Sequence, residues 1–196
     1  MTSFIKVAQQ SDFKPYELAE MYRLRTRIFR DRMQWDVRIV DGMEIDEYDH
    51  AATYYLQARD QQGALCGCWR LLQTHGQYML RNTFPSLLHG SPPPTSPRIW
   101  ELSRFAFQAE KHDGQFGFSD PAKQFISAIL EYGAANSIDH YVTVTTTAIE
   151  RMLRRLGVVT RRFGPPQRIG PCQAIALWID IARSAQALSA DPVPAS

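Results

Sequence analysis

The stretch Trp100-Glu101-Leu102-Ser103-Arg104-Phe105-Ala106 has the apolar density of a strand buried in a sheet, yet it holds an acid, a hydroxyl and a guanidinium. Ionised side chains are almost never fully buried without partners, because stranding one costs several kcal/mol or a shift to the neutral form. A strand that interleaves Glu101, Ser103 and Arg104 with Trp100, Leu102 and Phe105 therefore reads as lining a site rather than filling a core. The competing reading is a structural ion pair on an edge strand, since such networks imitate sites. Working outward, residues 98–107 form the strand, preceded by the exposed connector Ser91-Pro92-Pro93-Pro94-Thr95-Ser96-Pro97. Upstream, residues 53–59 and 65–73 alternate as strands joined by a hairpin at Asp60-Gln61-Gln62-Gly63. Downstream, a polar loop leads to a helix with Asp120 as N-cap and Pro121 at its first position, burying Phe125, Ile126, Ile129 and Leu130. Residues 141–147 are a β-branched strand, 148–156 a helix stopping near Gly157, and 172–181 a last buried strand. This order predicts an α/β sandwich around a mixed, mostly antiparallel sheet, as one domain over residues 1–185 with a disordered tail at 186–196.

A second group of ionisable residues lies near the start. Residues 16 to about 33 read as an amphipathic helix, with Leu18, Tyr22, Arg25 and Phe29 on one face. Arg23, Arg27 and Arg30 point the other way, into solvent. Arg25 is a cation on the apolar stripe and needs a carboxylate nearby. The run Glu44-Ile45-Asp46-Glu47-Tyr48-Asp49 supplies candidates. Alone it would be a solvated face; beside an inward Arg25 it predicts an ion-pair network reaching Asp46, Asp49 and Arg70.

Over 196 residues, 44% hydrophobic and 21% charged content is ordinary for a soluble globular protein. No run of about 18 apolar residues is present, so no transmembrane helix or stable membrane association is expected. Residues 1–10 lack the pattern of a signal peptide. Three cysteines, Cys66, Cys68 and Cys172, then point to reduced thiols in a cytoplasm. No ligand pair at metal spacing accompanies Cys66 and Cys68, so they read as core thiols and no metal is expected. The net charge of +2 hides a crowd of Arg151, Arg154, Arg155, Arg161, Arg162 and Arg168 around the single acid Glu150. Arg151, Arg154 and Arg155 share a helical face, which suits an acidic partner such as nucleic acid, anionic lipid or acidic protein, or else is merely solvated.

Together, Arg25-x-x-x-Phe29, Trp35, Asp46-x-x-Asp49, Arg70 and Glu101-x-Ser103-Arg104 resemble the invariant set of the LuxI-type acyl-homoserine lactone synthases. The similarity continues through Gly67-Cys68-Trp69-Arg70, Tyr78-Met79-Leu80, Asn82-Thr83-Phe84-Pro85, Val142-Thr143-Val144-Thr145-Thr146 and Arg162-Phe163-Gly164-Pro165. It covers residues 15 to 180, and the later segments look closest to the branch making long-chain 3-oxoacyl signals. The resemblance implies a three-layer αβα sandwich like the GCN5-related N-acetyltransferases, with a V-shaped cleft between central strands. It also implies transfer of a fatty acyl chain from acyl carrier protein to the amine of S-adenosylmethionine, a substrate, with no prosthetic group. Lactone closure then expels 5′-methylthioadenosine.

Such chemistry needs a base, an oxyanion site, a carboxylate anchor and an apolar tunnel. Glu101 is the candidate base, with Ser103 and Arg104 beside it. Backbone N–H groups from Arg104 through Phe105 and Ala106 to Phe107 are candidates for the oxyanion site. Arg104 offers a planar fork to a carboxylate, and Phe29 and Trp35 offer aromatic surface to the adenosine. Trp69, Met79, Leu102, Phe105, Phe125, Ile129, Val144, Thr145, Met152 and Leu156 are candidates for the acyl pocket, with Thr145 placed to donate to a 3-oxo group. Arg151, Arg154, Arg155, Arg161 and Arg162 are candidates for docking acyl carrier protein.

Two other functions compete. An acetyl-CoA-dependent N-acetyltransferase would need a glycine-rich pyrophosphate turn, and Gln108-Ala109-Glu110-Lys111-His112-Asp113-Gly114 offers none. A nucleic-acid-binding protein would explain the arginines but leaves Arg25, Asp46, Asp49 and Glu101 idle, with no helix-turn-helix, zinc or RNP signature.

Overall fold

The computed structural model describes residues 4–108 and 120–189. The chain forms two compact units: Met1–Leu72 with Leu102–Ile126, and Gln73–Glu101 with Ser127–Ser196.

The first unit holds β1 (Phe4–Gln9), α1 (Pro15–Arg25), the short pair β2 (Ile39–Val40) and β3 (Met43–Glu44), β4 (Tyr54–Arg59), β5 (Leu65–Gln73) and most of β6 (Ile99–Phe107). Strand order is β1-β4-β5-β6. β4 is antiparallel to both neighbours, with Leu56 opposite Val7 on one side and Trp69 on the other. The expected turn between β4 and β5 is an Asx turn: the Asp60 carboxylate accepts the N–H groups of Gln62 and Ala64. β1 escaped the sequence reading because no residue in it is fully buried, so its alternation is faint.

The expected helix over 16–33 begins as α1 but does not stay α-helical. From Thr26 to Arg32 it widens into a π-helix, a form found mostly at functional sites. The Thr26 hydroxyl contributes by donating to the Tyr22 carbonyl at 3.0 Å, competing with the α-helical ladder. Tyr22, Arg25 and Phe29 are buried and Arg23, Arg27 and Arg30 exposed, so the two faces hold through the change of pitch.

The second unit holds α2 (Met79–Asn82), β7 (His140–Thr146), α4 (Thr147–Arg155), β8 (Thr160–Arg162), β9 (Gln167–Ile169), β10 (Cys172–Asp180), α5 (Ile181–Ser189) and most of α3 (Asp120–Ala135). Here the order is β6-β7-β10-β8, with β9 also pairing β10. β10 is antiparallel to β7, β8 and β9. The fold is thus α/β with a mixed, mostly antiparallel sheet. α5 is a correction: the chain is helical through Ser189, inside the stretch expected to be tail, and the Ser184 hydroxyl accepts the Val159 N–H at 2.9 Å. The capping roles of Asp120 and Pro121, residues 109–119 of the phosphate-turn comparison and residues 190–196 lie outside the described residues.

In this unit α3 meets β7 through Gly133. A Cβ there would lie 2.7 Å from the Tyr141 hydroxyl and 2.6 Å from Ile181 Cδ1. That hydroxyl is itself fixed, donating to the Ile129 carbonyl at 2.9 Å. Gly133→Ala gains about 1 kcal/mol of helix propensity but overpacks at a cost of about 1–3 kcal/mol. A net loss near 1 kcal/mol is expected, read as a lower urea midpoint at unchanged slope.

Candidate active site

β5 presents two different faces. Cys68 and Arg70 point to one, Gly67 and Trp69 to the other, as strand alternation requires. β6 departs from that rule. Arg104 has φ +57°, in the left-handed region where a non-glycine residue is strained by about 1–3 kcal/mol. The departure lets the consecutive residues Ser103 and Arg104 both meet one polar cluster, which strict alternation forbids.

That cluster joins Arg25, Arg70 and Arg104 to Glu44, Asp46 and Asp49. Arg25 donates through Nε to Glu44 and through both Nη atoms, each at 2.8 Å, to the two oxygens of Asp49. Arg70 donates to both oxygens of Asp46, to Asp49 at 3.0 Å, and through Nε to the Ser103 hydroxyl at 3.0 Å. Arg104 donates to Glu44 at 3.0 Å and Asp46 at 2.7 Å. Tyr55 adds a 2.6 Å bond to Asp49, and its hydroxyl meets that of Tyr22 at 3.2 Å. Every residue expected in the network is in it.

Glu44 is the member that sequence reasoning missed. It sits in the quoted acidic run, but on a strand of two residues no periodicity marks it as inward. Its side chain is fully buried and bridges Arg25 to Arg104. The fork of Arg104, expected to be open for a carboxylate, is thus already engaged by Glu44 and Asp46.

The cluster has a sealed end and an accessible one. Arg25, Glu44, Asp49 and Arg70 side chains are at most 1% exposed, whereas Asp46 is 9% and Arg104 12% exposed. Phe29 and Trp35 stack at 5.4 Å and 9°, and the Arg104 guanidinium lies 5.7 Å from the Phe29 ring. Burial disfavours the charged forms throughout. For Arg25 and Arg70 the attraction of Asp49 outweighs it and holds their proton affinity above the ordinary arginine value. For Arg104 burial and the neighbouring Arg70 outweigh Glu44 and Asp46, so its affinity falls below the ordinary value. Of the three guanidiniums, Arg104 is the one whose affinity is lowered. Cys68, pushed up to about 12 by burial, is a core thiol as expected.

On the other face of β5, Trp69 stacks on Phe125 at 5.8 Å and 6° and meets Phe105 edge-on at 4.8 Å. Leu102 is buried in the same unit. The other acyl-pocket candidates belong to the second unit, where Met79, Ile129, Met152 and Leu156 are buried and Val144 and Thr145 half-buried. Glu101 also belongs there, with a wholly buried carboxylate that accepts the N–H groups of Met79 at 2.8 Å and Leu80 at 2.6 Å. It therefore caps α2, a role its place in the sequence did not reveal. Of the five docking arginines all are exposed, but Arg154 and Arg162 are both tied to Glu150, and Arg161 lies over the Trp178 ring at 5.6 Å.

Removing one member of a buried ion pair costs about 3–5 kcal/mol, so Arg25→Ala should lower the urea midpoint by that equivalent. Burial by itself raises the Asp49 carboxyl, but Arg25 and Arg70 outweigh it and hold it well below the ordinary carboxylate range. Its contribution to stability is thus complete above about pH 4 and is lost as pH falls below that. Stability measured from pH 7 down to about 3 should drop on the acid side, and Asp49→Asn should flatten that drop.

Comparison with known proteins identifies the family. The family model described as autoinducer synthase matches residues 9–188. An acyl-homoserine-lactone synthase of Pseudomonas aeruginosa is 43% identical over 179 residues, covering 90% of this chain and 89% of that protein. The crystal structure of the AHL synthase LasI superimposes with a TM-score of 0.88 at 41% identity, covering 100% of this chain and 98% of that one. The CoA-dependent acyl-homoserine lactone synthase BjaI, solved with SAM and isopentyl-CoA, gives 0.83 at 28% identity over 96% and 87% of the two chains. A protein of Lactobacillus plantarum, at 14% identity and a TM-score of 0.60 over 90% of this chain and 98% of that one, shares the fold. With its ion-pair cluster and aromatic face in place, this chain belongs to the autoinducer synthase family and is an acyltransferase of the acyl-homoserine-lactone synthase kind.

Proposed function

We propose that this synthase joins S-adenosylmethionine to a long 3-oxoacyl chain delivered by acyl carrier protein, in a cytoplasm. The observation that carries the reading is the two-faced β5, with a charged cluster on one side and an aromatic one on the other. S-adenosylmethionine has cationic ammonium and sulfonium groups and an anionic carboxylate. The accessible Asp46–Arg104 pair offers the matching charges. The stacked Phe29 and Trp35 suit the adenine ring. The acyl chain suits the aromatic face, where each buried CH₂ gains about 0.8 kcal/mol. No helix among the described residues is long and apolar enough to cross a membrane.

In this reading a base takes a proton from the substrate ammonium, and the freed amine attacks the thioester carbonyl. The C–S bond of the thioester breaks, the second proton lost from the nitrogen passes to the departing carrier thiolate, and the carrier leaves as its thiol. A carboxylate oxygen then attacks the γ-carbon, the bond to the sulfonium sulfur breaks, and neutral methylthioadenosine departs. Glu101 is our base and the amides of residues 104–107 our oxyanion donors. The 3-oxo assignment rests on the resemblance, including Thr145. Family membership favours the synthase over the acetyltransferase and nucleic-acid-binding alternatives, and the CoA dependence of BjaI makes the donor the point to test.

Glu101→Gln should act twice. Glutamine can accept only one of the two α2 amides, so stability should fall by about 1–3 kcal/mol. Below the melting temperature, lactone synthesis should fall about 100-fold through loss of the base. Full activity in folded Glu101→Gln would exclude the glutamate from proton transfer. Arg151→Glu and Arg155→Glu leave the Glu150 pairs intact and should raise KM for acyl carrier protein about tenfold, with KM for S-adenosylmethionine unchanged. Equal rates with acyl-CoA and no response to charge reversal would assign the donor to coenzyme A.

A further inference from the structure

Among the described residues, the buried indole nitrogen Nε1 of Trp69 has no hydrogen-bond partner. Native proteins rarely leave such a donor unpaired, and where they do it marks an unmet requirement of the site. The indole sits in the aromatic wall of Phe105 and Phe125. Beside it, Gly67 leaves no room for a side chain: a Cβ there would lie 2.7 Å from Phe107 and 3.1 Å from Phe125. Arg70 and Cys68 turn to the opposite face of β5, so the charged substrate has its partners elsewhere. A lone neutral donor in an aromatic wall suits a ligand that is apolar along its length and carries a neutral oxygen.

We infer that Trp69 Nε1–H donates to an oxygen substituent on the acyl chain, which makes Trp69 a residue that selects oxygenated over plain acyl groups. The inference deepens the synthase reading and rests on it. A plain chain would leave the N–H unpaired in the complex, whereas a 3-oxo chain pairs it, and a site built around a buried donor rejects the analogue that lacks the acceptor.

The test compares wild type with Trp69→Phe and with 3-benzothienylalanine placed at position 69 by stop-codon suppression. The latter puts sulfur where the N–H was and keeps the shape, so it serves even if Trp69→Phe folds poorly. Each enzyme receives 3-oxoacyl- and unsubstituted acyl-carrier protein in competition, at the chain length that wild type turns over fastest, with products read by mass spectrometry. The wild-type preference for the 3-oxo donor should fall about five- to tenfold in both variants. The loss should fall more heavily on the 3-oxo donor than on the plain one, KM for S-adenosylmethionine should stay unchanged, and the melting temperature of the sulfur variant should be no lower. An unchanged ratio in the sulfur variant, or an equal fall for both donors, overturns the inference and leaves the synthase reading standing. An unchanged ratio with a lowered melting temperature would identify a bound water as the acceptor, and also overturns it. Wild type that makes no lactone from either donor would instead sink the carrier-protein reading itself.

Discussion

Charge neutrality inside a low-dielectric interior is the condition on which the rest of the first unit depends. Arg25, Arg70 and Arg104 face Glu44, Asp46 and Asp49, and none of these groups could stay ionised and buried without its partners. The partners come from α1, β3, the segment after it, β5 and β6, so closing the cluster positions five pieces of chain at once. The local irregularities lie at its edge. The π-helix starts directly after Arg25, and the left-handed backbone of β6 falls on Arg104 itself. Both are unfavourable alone and both are held by charge-assisted hydrogen bonds.

A gradient of exposure runs across the network, from sealed side chains at one end to partly exposed ones at the other. The sealed end supplies rigidity, while Asp46 and Arg104 retain some contact with solvent. Rigid support also explains why Tyr55, Tyr22 and Ser103, none of them charged, spend their hydroxyls on the cluster.

Much of this was legible in the residues. Arg25 on an apolar stripe announced a buried pair with Asp49; Asp46 and Arg70 extend the same network, and the strand at 65–73 has the expected bounds. What stayed hidden depends on contacts between distant segments. Glu44 lies on too short a strand for a pattern. The left-handed Arg104 is not a glycine, so nothing flagged it. The capping role of Glu101 stayed hidden because the α2 amides are far away in the sequence, and the pairing of Arg162 with Glu150 forms only after the chain turns back. The π-helix was missed because a 3.6-residue pattern still fitted its buried positions.

The six residues Gly67, Cys68, Trp69, Arg70, Leu71 and Leu72 of β5 are all buried, and they alternate between incompatible surroundings. A slip of one residue against β4 would thrust a guanidinium among phenyl rings and an indole among carboxylates. In an ordinary amphipathic strand the same slip exchanges core for water, an error that a flexible chain can partly tolerate. Here either misalignment is punished on both sides of the strand at once, so β5 works as a checksum: only the alignment that satisfies the ion-pair cluster and the aromatic cluster together yields a folded protein.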